Sequence, residues 1–264
     1  MRTLLADEFC KDGLIHCKAC GTARQTSVEL FGKQELVACL CACQTEARDR
    51  AEEASKRRAR LAELRQLKAD GLRDASLERC TFANDLGYQP ESARLRAYAE
   101  QFPEMRKRGA GLLLWGDVGT GKTFLAACVA NHLLGQGIPV LMTGTAKLLN
   151  AVTGVYPSER NAFLESIYTS YSLLILDDLG MERSTEFAME QMFSVVDGWY
   201  RTGKPLIVTT NLTLQELKNP PDLAHRRIYS RLLEMCTPLK INGQNVRQLR
   251  AEEKMQTMRR LIAN

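Results

Sequence analysis

Residues 116–123 read Gly-Asp-Val-Gly-Thr-Gly-Lys-Thr. The apolar run Leu112-Leu113-Leu114-Trp115 precedes them and reads as a buried strand. Phe124 to Leu134, mostly apolar or small, follows and reads as a helix packed on a sheet. Few folds accommodate that order. Gly116, Gly119 and Gly121 let the backbone curl so that several N–H groups converge on one point. The helix N-terminus adds its partial positive charge there. Lys122 reaches the β- and γ-phosphates of a bound nucleotide, and the Thr123 hydroxyl can ligate Mg²⁺. Asp117, Val118 and Thr120 complete this P-loop, so all eight residues are candidate nucleotide contacts.

A second signature lies downstream. Ser172-Leu-Leu-Ile-Leu-Asp177-Asp178-Leu-Gly180 runs four apolar residues into two carboxylates. In an open α/β sheet, ligands sit at the carboxyl ends of the strands. Here Asp177 is placed to hold Mg²⁺ and Asp178 to orient an attacking water, the Walker B arrangement. Leu206-Ile-Val-Thr-Thr-Asn211 is a further strand ending in an amide that can both donate and accept, suited to a water or a γ-phosphate. In His225-Arg226-Arg227-Ile-Tyr-Ser230-Arg231, Arg227 and Arg231 lie one helical turn apart. They are candidates for an arginine reaching a neighbouring subunit's nucleotide, or for a basic surface helix.

Between these signatures, Pro139–Thr143 reads as a strand, and residues 145–152 and 158–169 as helices broken by Gly154 and Pro157. Residues 185–200 read as an amphipathic helix with Phe187, Met192, Phe193, Val196 and Trp199 apolar. Pro238–Ile241 reads as a last strand before a charged tail.

The N-terminal part has a different character. Five of nine cysteines fall between Cys17 and Cys43. The start, MRTLLADEFCKDG, has acidic residues where a leader would be apolar, and no apolar run approaches the roughly 20 residues of a membrane span. The expectation is a cytoplasmic protein, whose cysteines point to metal rather than disulfides. Cys17 and Cys20 form a Cys-x-x-Cys pair, and Cys39, Cys41 and Cys43 offer three thiols at alternate positions. Cys17, Cys20, Cys41 and Cys43 are the expected tetrahedral Zn²⁺ set, with Cys39 as the alternative and His16 as a weaker one.

Glu46 to about Lys68 reads as one long, largely solvated helix closed by Gly71, with a thin stripe from Ala47 to Leu67. Its Lys56-Arg57-Arg58-Ala-Arg60 cluster is a wet face or a nucleic-acid contact, and the net charge of +5 is compatible with either. A helix over 90–108 follows, with Leu95, Tyr98 and Phe102 inward and Pro103 ending or kinking it. The expected organisation is a zinc module over 1–45, a helical linker over 46–74, an ATPase domain over 75–250 and a tail over 251–264.

GDVGTGKT, LLILDDLG, IVTTN and RRIYSRLLEMC, in that order and spacing, resemble the DnaC/IstB group of AAA+ ATPases, most closely its helicase-loader branch. Arg79–Ala83 and the 241–247 segment are similar to that group's entry and exit segments. The cysteine module resembles, more loosely, zinc modules on some loaders, often prophage-encoded. The resemblance implies an α/β AAA+ core that uses ATP, Mg²⁺ and Zn²⁺. It implies binding to a hexameric replicative helicase, self-association bridged by ATP, and contact with single-stranded DNA. Carried over, Asn211 is sensor 1, and Arg231 is the first choice for the finger with Arg227 second. Lys147, Tyr156 and Arg160 stand where a DNA-facing insertion is expected. An IstB-like transposition helper, and an adaptor that binds ATP with little hydrolysis (Asp178 replacing the more usual Glu), are the alternatives.

Overall fold

The computed structural model describes residues 4–72, 74–180, 185–243 and 245–262, the side chains of residues 249, 250, 253 and 261 excepted. The first three residues of the expected zinc module, Gln244 of the exit segment and the last two residues of the tail therefore lie outside the described residues. The chain forms two compact units, divided between residues 63 and 64.

The first unit is small. It holds two antiparallel hairpins, β1 (Glu8–Lys11) with β2 (Leu14–Cys17), and β3 (Gln25–Leu30) with β4 (Lys33–Ala38). A unit this size cannot bury much apolar surface. Its most buried side chains include Cys17 and Cys41 rather than a large aliphatic cluster. Arg24 ties the unit together through ion pairs to Asp7 at 2.7 Å and to buried Glu8 at 3.2 Å. Helix α1 (Ala42–Gly71) starts here, four residues earlier than Glu46. The Thr22 hydroxyl accepts the Ala42 N–H at 2.8 Å and satisfies one of the helix's unpaired donors. As expected, most of α1 is exposed, laced by pairs such as Glu52–Lys56 at 2.6 Å.

The second unit is a three-layer α/β sandwich. Its helices are α2 (Ser92–Glu100), α3 (Phe102–Arg108), α4 (Lys122–Gly135), α5 (Thr145–Gly154), α6 (Arg160–Ser170), α7 (Glu186–Arg201), α8 (Leu214–Lys218), α9 (Leu223–Met235) and α10 (Val246–Ile262). Its strands are β5 (Gly111–Trp115), β6 (Val140–Gly144), β7 (Leu173–Leu179), β8 (Leu206–Thr210) and β9 (Cys236–Lys240). The five strands are all parallel, in the order β6-β7-β8-β5-β9. A parallel sheet is covered on both faces, so its strands read as unbroken apolar runs. Alternate residues feed two cores. Leu113, Leu174 and Val208 pack with Trp199 and α9, while Leu114, Ile175 and Ile207 pack with α4 and α2.

Several boundaries differ from expectation. The 90–108 helix breaks at Gln101, so Pro103 sits in the first turn of α3, where its missing N–H costs nothing. The last strand is 236–240 rather than 238–241, because Cys236 pairs with Gly111. The expected charged tail continues a helix that starts at Val246. Phe187, one of the apolar residues of the amphipathic helix, is half exposed. Among the described residues no helix is long and apolar enough to cross a membrane.

Gly111 lies where β5 is squeezed between β8 and β9. A Cβ there would collide with the Leu206 carbonyl and stand 3.0 Å from Cys236 Sγ. Gly111→Ala is expected to lower stability by about 1–3 kcal/mol through overpacking. Both tryptophans, Trp115 and Trp199, lie in this unit, so a urea titration followed by their fluorescence measures it, with the midpoint falling and the slope unchanged.

Candidate functional site

The carboxyl ends of β5, β7 and β8 converge on the P-loop. Gly119 and Gly121 take φ of +84° and +93°, which an L side chain avoids. A Cβ at either would strike a neighbour, Asn245 in the first case and Gln89 in the second. Lys122 opens α4, is nearly fully buried, and donates to the Gly116 and Asp117 carbonyls at 2.8 and 2.7 Å. Burial pushes its pKa down, against the pull of Asp178, Asp117 and Asp177. The loop flanks a cavity of about 410 Å³. Leu77, Leu86 and Val118 supply apolar wall, and Lys122, Asp178 and Asn211 supply polar groups. That combination suits a nucleotide, with a flat base and a charged phosphate tail.

Thr123 and Asp177, the expected Mg²⁺ pair, meet directly: the Thr123 hydroxyl donates to Asp177 Oδ1 at 2.9 Å. The Thr209 hydroxyl donates to the same oxygen at 2.6 Å. Burial raises the pKa of Asp177, with the two hydroxyls opposing it. A hard cation favours a hydroxyl and a carboxylate side by side, so these residues fit Mg²⁺ and it would supply charge neutralisation of the phosphates. Asp178 takes φ +58°, a left-handed conformation that costs a non-glycine residue roughly 1 kcal/mol.

Sequence reasoning gave no site role to five neighbours. Gln89 lies against Gly121; Asn245 lies against Gly119 and caps α10 by accepting the Arg247 N–H at 3.1 Å. Val246 N–H donates to the Gly119 carbonyl at 3.0 Å, and Arg247 lines the cavity. Thr209 is completely buried. Only Thr209 left a signal, as a polar residue inside an apolar strand run.

Arg231 does not point freely from α9. It pairs with Asp197 at 2.7 Å and stacks over Phe193, 4.7 Å from the ring centre. Arg227, one turn earlier, is exposed. Of the residues expected in the insertion, Tyr156 is three-quarters exposed. Lys147 makes a long ion pair to Asp74 at 3.8 Å. Arg160 lies over Phe187 and donates to the Val152 carbonyl at 3.1 Å.

In the first unit, the Sγ atoms of Cys17, Cys20, Cys41 and Cys43 all lie within 4.8 Å of one another. A tetrahedral site with Zn–S near 2.3 Å needs S···S separations of roughly 3.8 Å, which this cluster matches. Cys41 and Cys43 are 3.3 Å apart and Cys17 and Cys43 3.7 Å. Hydrogen bonds with the neighbouring thiols, Cys41 foremost, push the Cys43 thiol up to about 12. Cys39 instead faces the Ala23 carbonyl at 3.6 Å, and His16 bonds the Leu14 carbonyl at 3.1 Å and packs on Phe9. Neither belongs to the cluster.

Comparison with known proteins follows the same lines. The profile of a family described as IstB-like ATP binding protein matches residues 11–254. A protein described as ATP-binding in an insertion sequence of Mycobacterium tuberculosis is 30% identical over 39% of this chain and 41% of its own length. The replicative helicase loader DnaC of Buchnera aphidicola subsp. Schizaphis graminum is 26% identical over 59% of this chain and 64% of its own. The chain thus spans about two fifths of the length of the first of these relatives and just under two thirds of the second. The solved structure of DnaI superposes with a TM-score of 0.55 at 22% identity, covering 65% of this chain and 96% of that one, which shows the shared AAA+ P-loop fold.

The cluster predicts about one Zn per chain by metal analysis. Replacing Cys17 and Cys20 together by serine is expected to remove the metal and unfold the first unit, since so small a core depends on it. A metal-free, fully folded wild-type chain would exclude the assignment.

Proposed function

Because the chain belongs to the IstB-like ATP-binding protein family, we propose that it is an ATP-dependent replication protein that binds a hexameric replicative helicase and loads it onto single-stranded DNA. The observation that carries this reading is the four-thiol cluster on the same chain as a P-loop cavity edged by paired acids. Residues 1–45 are the helicase-binding module, 46–74 the link and 75–250 the ATPase. Lys122 neutralises the β- and γ-phosphates. Thr123 and Asp177 hold Mg²⁺, while Asp178 and Asn211 orient the attacking water. The chain self-associates in the cytoplasm with ATP bridging neighbours, and Arg231 exchanges Asp197 for the neighbour's γ-phosphate, with Arg227 as the alternative. Exposed Tyr156 stacks on bases, and Lys147 and Arg160 meet the backbone, giving weak sequence preference.

A second reading, a helper that remodels DNA for a transposase, is favoured by two observations. The family profile begins at residue 11, inside the cysteine-rich unit, and one relative is carried in an insertion sequence. A third, an adaptor that binds ATP with little turnover, is favoured by the short Asp178.

Mass measurement of complexes separates them. Mixed with its host's replicative helicase, the chain is expected to give a complex whose stoichiometry differs between ATP and ADP. No complex under any nucleotide condition, with capture of a transposase on duplex DNA instead, would establish the helper.

A further inference from the structure

Three non-glycine residues take positive φ among the described residues: Asp12, Phe31 and Asp178. Asp12 and Phe31 sit in hairpin turns before a glycine, where such a conformation is ordinary. Asp178 is different, because it lies inside β7. In the ladder Leu176 pairs with Val208 and Leu179 with Thr210. Asp177 and Asp178 together therefore oppose one residue, Thr209. This is a β-bulge, a device that bends a strand and re-aims a side chain.

Thr209 closes the bulge with one hydroxyl. That hydroxyl accepts the Asp178 N–H at 3.0 Å and donates to Asp177 Oδ1 at 2.6 Å. On the other side, the Thr145 hydroxyl donates to the Asp178 carbonyl at 3.0 Å. Both threonines are buried, at 0% and 1% exposure, so water does not compete for these bonds. Asp178 is thus gripped at both its N–H and its carbonyl in a conformation it would not adopt unaided, and its side chain lines the nucleotide cavity beside Lys122 and Asn211.

We propose that Thr209 is the positioning residue of the nucleotide site. Its hydroxyl holds the Asp177 carboxylate against Thr123 and locks the turn that aims Asp178 into the cavity, with Thr145 as the second anchor. The inference rests on the reading of that site as an ATPase. It assigns a role to the first threonine of the β8 terminus that is separate from that of Asn211 two residues later.

Two substitutions divide shape from hydroxyl. Thr209→Val keeps the shape and removes the hydroxyl; Thr209→Ser keeps the hydroxyl. In the full chain, Thr209→Val is expected to lower kcat for ATP by about tenfold or more with KM little changed, the usual scale for a group that orients a metal ligand. Titrating Mg²⁺ into the chain with a fluorescent non-hydrolysable ATP analogue is expected to show about a tenfold weaker Mg²⁺ dependence, with Mg²⁺-free nucleotide affinity unchanged. Thr209→Ser is expected to restore both values to within about threefold of wild type. Thr145→Val, which releases the Asp178 carbonyl, is expected to lower kcat and leave the Mg²⁺ dependence alone.

Wild-type kcat and Mg²⁺ dependence in a folded Thr209→Val chain would overturn the proposal, as would a loss that serine does not recover. Should the valine variant fail to fold, Thr145→Val decides, and an unaltered kcat there counts against the proposal. A wild-type chain without turnover would remove the ATPase reading, while the Mg²⁺ titration would still decide the role of Thr209.

Discussion

Everything at the nucleotide site follows from five strands running the same way. A parallel strand can be followed by another only through a crossover, and here helices on both faces of the sheet make those crossovers. All five carboxyl ends therefore finish on one edge. The residues just past them, the P-loop after β5, the acids ending β7 and Asn211 after β8, meet although more than 90 positions separate the first from the last in sequence. The closeness of this packing shows at Gly111, where no side chain fits between β8 and β9. The chemistry is positioned by rigid strand ends, and the glycine loop then bends over the cavity they define.

Threonine hydroxyls link the sheet to that chemistry. Thr123 comes from the first turn of α4, Thr209 from β8 and Thr145 from the start of α5. Between them they hold one carboxylate oxygen of Asp177 and both backbone groups of Asp178. In a dry interior such bonds are stronger than in water and cost more to leave unmade. The left-handed turn at Asp178 is strain that the two bonds to its own backbone offset. The first unit uses another solution to small size: with little apolar core, it places four thiols where a hairpin end meets the start of α1.

The sequence was most readable where burial is continuous. β5, β7 and β8 stand out because parallel strands buried on both faces carry unbroken apolar runs, and the four cysteines because metal spacing is short-range. It was least readable where geometry depends on partners distant in sequence. Nothing near Asp178 announces a bulge, which appears only once β7 is laid against β8 and two residues face one. Gln89 and Asn245 reach the P-loop from opposite sides of the chain, so no local pattern marks them. Cys39 stayed an alternative ligand on paper because it shares the alternate spacing of Cys41 and Cys43; past the strand that ends at Ala38 its thiol faces the Ala23 carbonyl instead. Arg231 looked like a free basic residue because Asp197 and Phe193, which engage it, lie on a different helix.

The central claim is that the P-loop edge is a nucleotide site in which Lys122 meets the phosphates. The direct measurement is a calorimetric titration of Mg²⁺–ATP into the full chain and into Lys122→Ala. The account predicts saturable binding near one nucleotide per chain, weakened by about a hundredfold or more in the variant, as expected for losing a charge-assisted contact in a buried site. No binding by the wild-type chain, or equal affinity in both, would contradict it.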